Sequence, residues 1–285
     1  MTTATQELAR IEARLALRHP APWIGLALAG LMAWDIWDEA WSGERYTGLV
    51  AASTPVLLGI SVASVSAFGR ELVPVADAAP MDRGRRGLAR LVGGLPLVLV
   101  VAVMVASVAV ALRVSGGLPL GDEPGRTLRA QHTFPELLQI VLLAGLAVAV
   151  GAAAVHVIRQ RLAASIMLAF AWFLAGGTYW LFNGPVLRWF ALVQVQPTYV
   201  DVGPPETDPS TFPSSWLLTG PGEYQDYWAR LVVSPAMAAW HDVYLVGLIA
   251  LAVAVAVPGR TRRPQLAAGA VLVAVGVVLQ RVVAP

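Results

Sequence analysis

The sequence predicts an all-α fold: a polytopic transmembrane helical bundle of about six to seven spans, led by an N-terminal interfacial amphipathic helix. Three observations predict it. Of the 285 residues, 57% are hydrophobic and only 13% charged, whereas a soluble domain is about a quarter charged. Such a chain cannot cover its apolar surface with charge, so lipid must be its solvent. Apolar runs recur along it, each near the roughly 20 residues that cross the hydrocarbon layer. The arginines gather in alternate connections between those runs.

Residues 1–21 form the leading element. Leu8, Ile11 and Leu15 fall at helical spacing, and Arg10, Arg14 and Arg18 make a stripe four residues apart. This pattern predicts an amphipathic helix lying on the inner membrane surface and ended by His19-Pro20. A solvated basic tail is the alternative. The stretch does not read as a signal peptide, because charged residues precede the first apolar run and no small-residue cleavage site follows it cleanly.

Residues 22–285 then read as one transmembrane domain, with spans at about 22–41, 48–68, 91–112, 136–157, 163–182, 241–257 and 265–283. Trp34, Asp35, Trp37, Asp38 and Trp41 crowd the far end of the first and mark a headgroup layer. Pro55 and Pro96 are expected to kink the second and third. Gly269 and Gly276 in the last offer a small face for helix packing.

With the N-terminus inside, the inner segments hold Arg10, Arg14, Arg18, Arg70, Arg83, Arg85, Arg86, Arg90, Arg159, Arg161, Arg260, Arg262 and Arg263, thirteen of the twenty basic residues. This is the positive-inside pattern. It predicts a plasma (inner) membrane protein with a cytoplasmic N-terminus and, if the seventh run spans, an outside C-terminus. The polar break at 69–91 is the longest inner connection. Two outer connections remain. Residues 113–135 are expected to be irregular. Residues 183–240 carry Trp189, Trp216, Tyr227, Trp228 and Trp240, expected to form an outer aromatic cap or a set of interfacial anchors.

Composition also excludes chemistry. Every basic residue is arginine and there is no cysteine. Lysine-dependent phosphate loops, Schiff bases, thiol nucleophiles and thiolate metal sites are therefore absent from this sequence. His19, His132, His156 and His241 do not converge in the predicted topology, so no metal site is expected. Gly59-Ile60-Ser61-Val62-Ala63 loosely resembles a membrane serine-protease nucleophile, but no histidine is offered at its depth. Span centres nearly free of charge argue against an ion- or proton-coupled pathway. Ser115-Gly116-Gly117 reads as a turn. The net charge of +2 is distributed by membrane face, so nucleic acid is not an expected partner.

Three stretches carry a resemblance: residues 10–33, RIEARLALRHPAPWIGLALAGLMA; residues 69–91, GRELVPVADAAPMDRGRRGLARL; and residues 240–258, WHDVYLVGLIALAVAVAVP. Together they resemble the membrane (permease) subunit of an ABC transporter, of the type-2 exporter-like kind found in actinobacteria. They cover about a quarter of the chain. The resemblance implies a chain that is not itself an enzyme and binds no cofactor. ATP and Mg would sit on a separate cytosolic ATPase subunit, with a second permease copy or paralogue completing the pathway and membrane lipid around both. It implies that residues Asp77 to Arg90 form a coupling helix. Asp77, Pro80, Met81, Arg83, Arg85, Arg86 and Arg90 would then serve the ATPase contact, with Arg83, Arg85 and Arg86 facing it. The seventh run departs from that family's six-span pattern. The expected path would be lined by small and apolar residues of the second and fifth spans. A largely uncharged interior suits a lipid-like, peptide or amphipathic drug substrate. The alternative function is a non-transporting scaffold or sensor that binds a ligand or partner through residues 183–240.

Overall fold

A computed structural model describes residues 3–38, 43–72, 81–119, 129–177, 187–196, 198–201, 217–219, 229–257, 259 and 261–284. The frame is helical. In chain order the helices are α1 (Thr3–Arg18), α2 (Pro20–Asp38), α3 (Gly43–Ala51), α4 (Thr54–Phe68), α5 (Arg83–Ser115), α6 (Phe134–Ile158), α7 (Arg161–Gly177), α8 (Pro235–Ala256) and α9 (Arg262–Val283), with a 3-10 turn at Gly69–Leu72 after α4. Within the described residues each expected apolar run lies on helix, the second divided between α3 and α4. Five stretches are long and apolar enough to cross a membrane: Tyr46–Leu72, Arg83–Ser115, Phe134–Ile158, Pro235–Ala256 and Arg262–Val283. That is the build of a multi-pass membrane protein. α2 is not among the five, and α7 is shorter at 17 residues.

The prolines act differently from one another. Pro55 does not kink a continuous helix. It stands at the start of α4, after a break at Ala52-Ser53. A proline cannot donate to the carbonyl four residues back, which here belongs to Ala51. The Thr54 hydroxyl donates to that carbonyl instead, at 2.6 Å, and the Ser53 hydroxyl donates to Val50 O at 2.6 Å. The break thus leaves these buried acceptors satisfied. Pro96 lies inside α5, which continues through it for 33 residues. Asp82 caps the start of α5, its Oδ1 accepting from the Arg85 N–H at 2.9 Å. Gly116, at φ 79°, ends the helix in the left-handed conformation. The expected turn at Ser115-Gly116-Gly117 is there.

The core centres on α6, which packs against α4, α5, α7 and α8. Leu57, Ile60, Leu143 and Leu245 are completely enclosed there. Small residues set the closest approaches. A Cβ on Gly93 would lie 2.5 Å from Glu12 Cβ of α1, and one on Gly94 would lie 2.8 Å from Val148 of α6. The Gly93-Gly94 pair therefore lets α5 take a helix on each side. Gly269 and Gly276 face α8, where a Cβ on Gly276 would lie 2.6 Å from Tyr244 N. Leu99, Val103, Ile166, Phe170, Val278 and Val282 point outward, as lipid-facing residues must.

Two connections hold short strands, the first of them, at 113–135, where an irregular loop was expected. β1 (Leu118–Pro119) pairs antiparallel with β2 (Arg129–Ala130), and β3 (Thr198–Asp201), β5 (Ala229–Val232) and β4 (Leu217–Thr219) form a second antiparallel sheet in that order. Backbone donors and acceptors need partners wherever they leave water. Antiparallel pairing supplies them within one connection.

Candidate functional site

The arginine-rich end of the bundle carries the densest polar chemistry among the described residues. Residues Arg83 to Arg90 do not form a separate short helix. They are the first two turns of α5, continuous with its apolar body. Helical spacing divides them into two faces. Arg83 and Arg85 are exposed, Arg85 pairing with Asp82 at 3.1 Å where both side chains meet solvent. Arg86 and Arg90 are buried. Arg86 donates through Nε and Nη2 to the two carboxylate oxygens of Glu71, at 2.8 and 2.9 Å, and through Nη1 to Met81 O. Arg90 Nη1 donates to Glu71 Oε1, and its Nε to Glu12 Oε1 at 3.3 Å. Glu12 also accepts from Arg70 Nη2.

Three arginines and two glutamates thus form one network joining α1, the turn after α4, and the start of α5. Burying so many charges is costly unless each is paired and hydrogen-bonded, and here the fork of Arg86 meets both oxygens of Glu71. The network fixes how α1 sits. Thr5, Ala9 and Glu12 form its buried face, while the predicted apolar stripe has Ile11 and Leu15 exposed and Leu8 half-buried. Arg10, Arg14 and Arg18 are exposed as a stripe, as their spacing predicts. His19 joins α1 to α2: its Nε2 meets Ser66 Oγ at 3.2 Å and its Nδ1 accepts from Ala21 N–H at 3.3 Å. Burial pushes this imidazole below its usual pKa. Of the residues expected to serve a coupling contact, Met81 is half-buried beside Arg86, while Asp77 and Pro80 lie outside the described residues.

Beside the network, between α4, α5, α6 and α8, lies a cavity of about 420 Å³. Glu71, Arg83, His156 and Arg159 line it on the polar side, and Phe68, Leu72 and Val155 on the apolar side. Arg161, two residues beyond Arg159, donates to Gly69 O at 2.6 Å.

At the opposite end, residues 187–196 are held against the bundle by side chains, a feature that composition does not signal. Gln194 N–H donates to Gln139 Oε1 at 2.7 Å, Gln139 Nε2 to Gln194 O at 3.1 Å, and Gln194 Nε2 to Gln280 Oε1 at 2.7 Å. His241 is completely buried against Leu192 O. Trp189 is buried, with the Arg188 guanidinium 4.3 Å above its ring. Trp240 is half-buried, and Trp216, Tyr227 and Trp228 lie outside the described residues. His132 stacks on Tyr46 at 3.9 Å, and burial holds its pKa below the usual value.

Ser61 is a structural hydroxyl. It donates to Ala147 O at 3.2 Å and accepts from Trp172 Nε1 at 2.8 Å, with no histidine on it. No group of three metal-ligating side chains occurs among the described residues. Compared with protein-family models and with curated proteins, the chain matches none.

Proposed function

We propose that the chain is the permease subunit of an ATP-driven exporter, seated in the plasma membrane with its N-terminus in the cytoplasm and driven by a separate ATPase. The observation that carries this reading is the ion-pair network of Glu12, Glu71, Arg70, Arg86 and Arg90, of which Glu12, Arg86 and Arg90 are buried. It ties an N-terminal helix with an exposed arginine stripe to the ends of two spans. A push on the arginine end would therefore move α1, α4 and α5 as one body, which is what coupling to a cytosolic motor requires. Arg83 and Arg85 are the exposed arginines in the first turns of α5 and make the contact. Arg86 and Arg90 carry the movement inward.

The substrate class follows from a second cavity. A groove of about 300 Å³ opens between α2 and α5, lined by Leu26, Ala29, Leu49, Met104, Val108 and Ile140 among others. Its walls are almost entirely apolar, which suits a lipid-like or amphipathic substrate rather than an ion. α4 is the most enclosed of the candidate spans, so the path runs at the surface of this chain, against a second permease.

The test is co-purification in mild detergent with a candidate ATPase encoded near this chain. Wild type is compared with Arg83→Glu/Arg85→Glu, which leaves the buried network alone. Wild type should retain the ATPase and the double variant should lose it at unchanged membrane expression. An ATPase that binds neither would refute the reading.

A further inference from the structure

We infer that the cavity of about 420 Å³ at the arginine end is a binding site for a phosphate-ester anion bearing an apolar tail or backbone. The argument starts from charge. Four ionisable side chains line the cavity: Glu71, Arg83, His156 and Arg159. The one acid among them is already used, because both of its oxygens are held by Arg86 and one of them also by Arg90. Arg83 has an interaction of its own, so the lining is left with the positive charge of the Arg159 guanidinium and an imidazole that can donate an N–H. Among the described residues, neither the His156 ring nor the Arg159 side chain has an ion pair or hydrogen bond. Phosphate oxygens are the acceptors that guanidinium forks fit best.

The backbone supplies an independent argument. Arg159 ends α6 at φ 57°, making it the one non-glycine residue in the left-handed region among the described residues. Glycine is the favoured residue at that position, and any side chain there costs about 1 kcal/mol. Arg161, in ordinary helix, is used to hold Gly69 O; Arg159 occupies a strained position and lines the cavity instead. The backbone N–H of Arg159 closes α6 on Val155 O at 2.9 Å, and its side chain is left to the cavity.

Size and position define the ligand further. The cavity exceeds the needs of an inorganic phosphate, and Phe68, Leu72 and Val155 give it an apolar wall. It lies where α4, α6 and α8 end and α5 begins, the level of lipid headgroups for helices that span. Anionic phospholipid and a soluble phosphorylated metabolite share the required chemistry.

The experiment is isothermal titration of the purified chain in a neutral detergent with short-chain phosphatidylglycerol, with short-chain phosphatidylcholine, and with glycerol 3-phosphate. Saturable binding of phosphatidylglycerol should occur, with phosphatidylcholine much weaker. Arg159→Gly should weaken it by about tenfold, the loss of one charged hydrogen-bonding partner. Because glycine suits the left-handed position, that variant should melt no lower than wild type, which separates lost binding from lost fold. His156→Ala should weaken binding on the same scale. Equal binding of glycerol 3-phosphate would assign the site to a soluble ester, and binding of the lipid alone to the membrane. The proposal falls if no anion binds saturably, or if Arg159→Gly/His156→Ala binds as wild type does.

Discussion

At the scale of single residues, the arginines divide by environment rather than by type. Arg85 pairs with Asp82 at the surface, both side chains over 60% exposed, and solvent screens most of that attraction. Arg90 is 8% exposed and pairs with Glu12, which is 5% exposed. Breaking a buried pair leaves a charge without compensation. Glu12→Gln should therefore lower stability by about 3 kcal/mol, the low end for such a pair because Arg90 keeps Glu71. Arg85→Ala should change it by about 0.5 kcal/mol or less. Tryptophan-fluorescence melting in micelles would compare them, and equal losses would mean the network is hydrated rather than buried. The sequence could not make this division. Arg83, Arg85, Arg86 and Arg90 look alike in a polar break, and what turns Arg86 and Arg90 inward is Glu71 together with, for Arg90, Glu12, more than seventy positions away.

At the scale of elements, the apolar runs were legible because the bilayer fixes their length. Their partners were less so. The helix at the N-terminus was predicted from Leu8, Ile11 and Leu15, yet it packs through Thr5, Ala9 and Glu12. A face of small and polar residues has no hydropathy signal, and its meaning appears only opposite Gly93. The 187–196 segment escaped prediction for a similar reason: Gln139, Gln194 and Gln280 satisfy one another across the fold. Because the chain has no cysteine, the α1–α5 contact can be tested with one introduced thiol. Ala9→Cys, at a buried position, should react slowly with maleimide. Adding Gly93→Leu puts a side chain where even a Cβ would lie 2.5 Å from Glu12 Cβ. It should raise the labelling rate at least about tenfold if α1 is displaced. An unchanged rate would show that α5 yields instead and α1 stays seated.

At the scale of the whole molecule, the arginine end and the glutamine end differ in what they can face. Arg10, Arg14, Arg18, Arg83, Arg85 and Arg159 are all exposed and belong to α1, the start of α5 and the end of α6. The opposite end has buried amides and short sheets. A membrane insertion that follows arginine would keep the first end in the cytoplasm. The same cysteine-free background decides this. A thiol at exposed Gln160, beside the end of α6, and one at exposed Gln131, before its start, bracket a single span. In intact cells an impermeant maleimide should label Gln131→Cys and leave Gln160→Cys unlabelled until the membrane is opened. Labelling in the reverse order would invert the protein. It would then place Arg83 and Arg85 outside, where no cytosolic ATPase could reach them, and the permease reading would fail with it. The phosphate-ester site would survive that inversion, since its chemistry depends on Arg159, His156 and the cavity rather than on which leaflet they face.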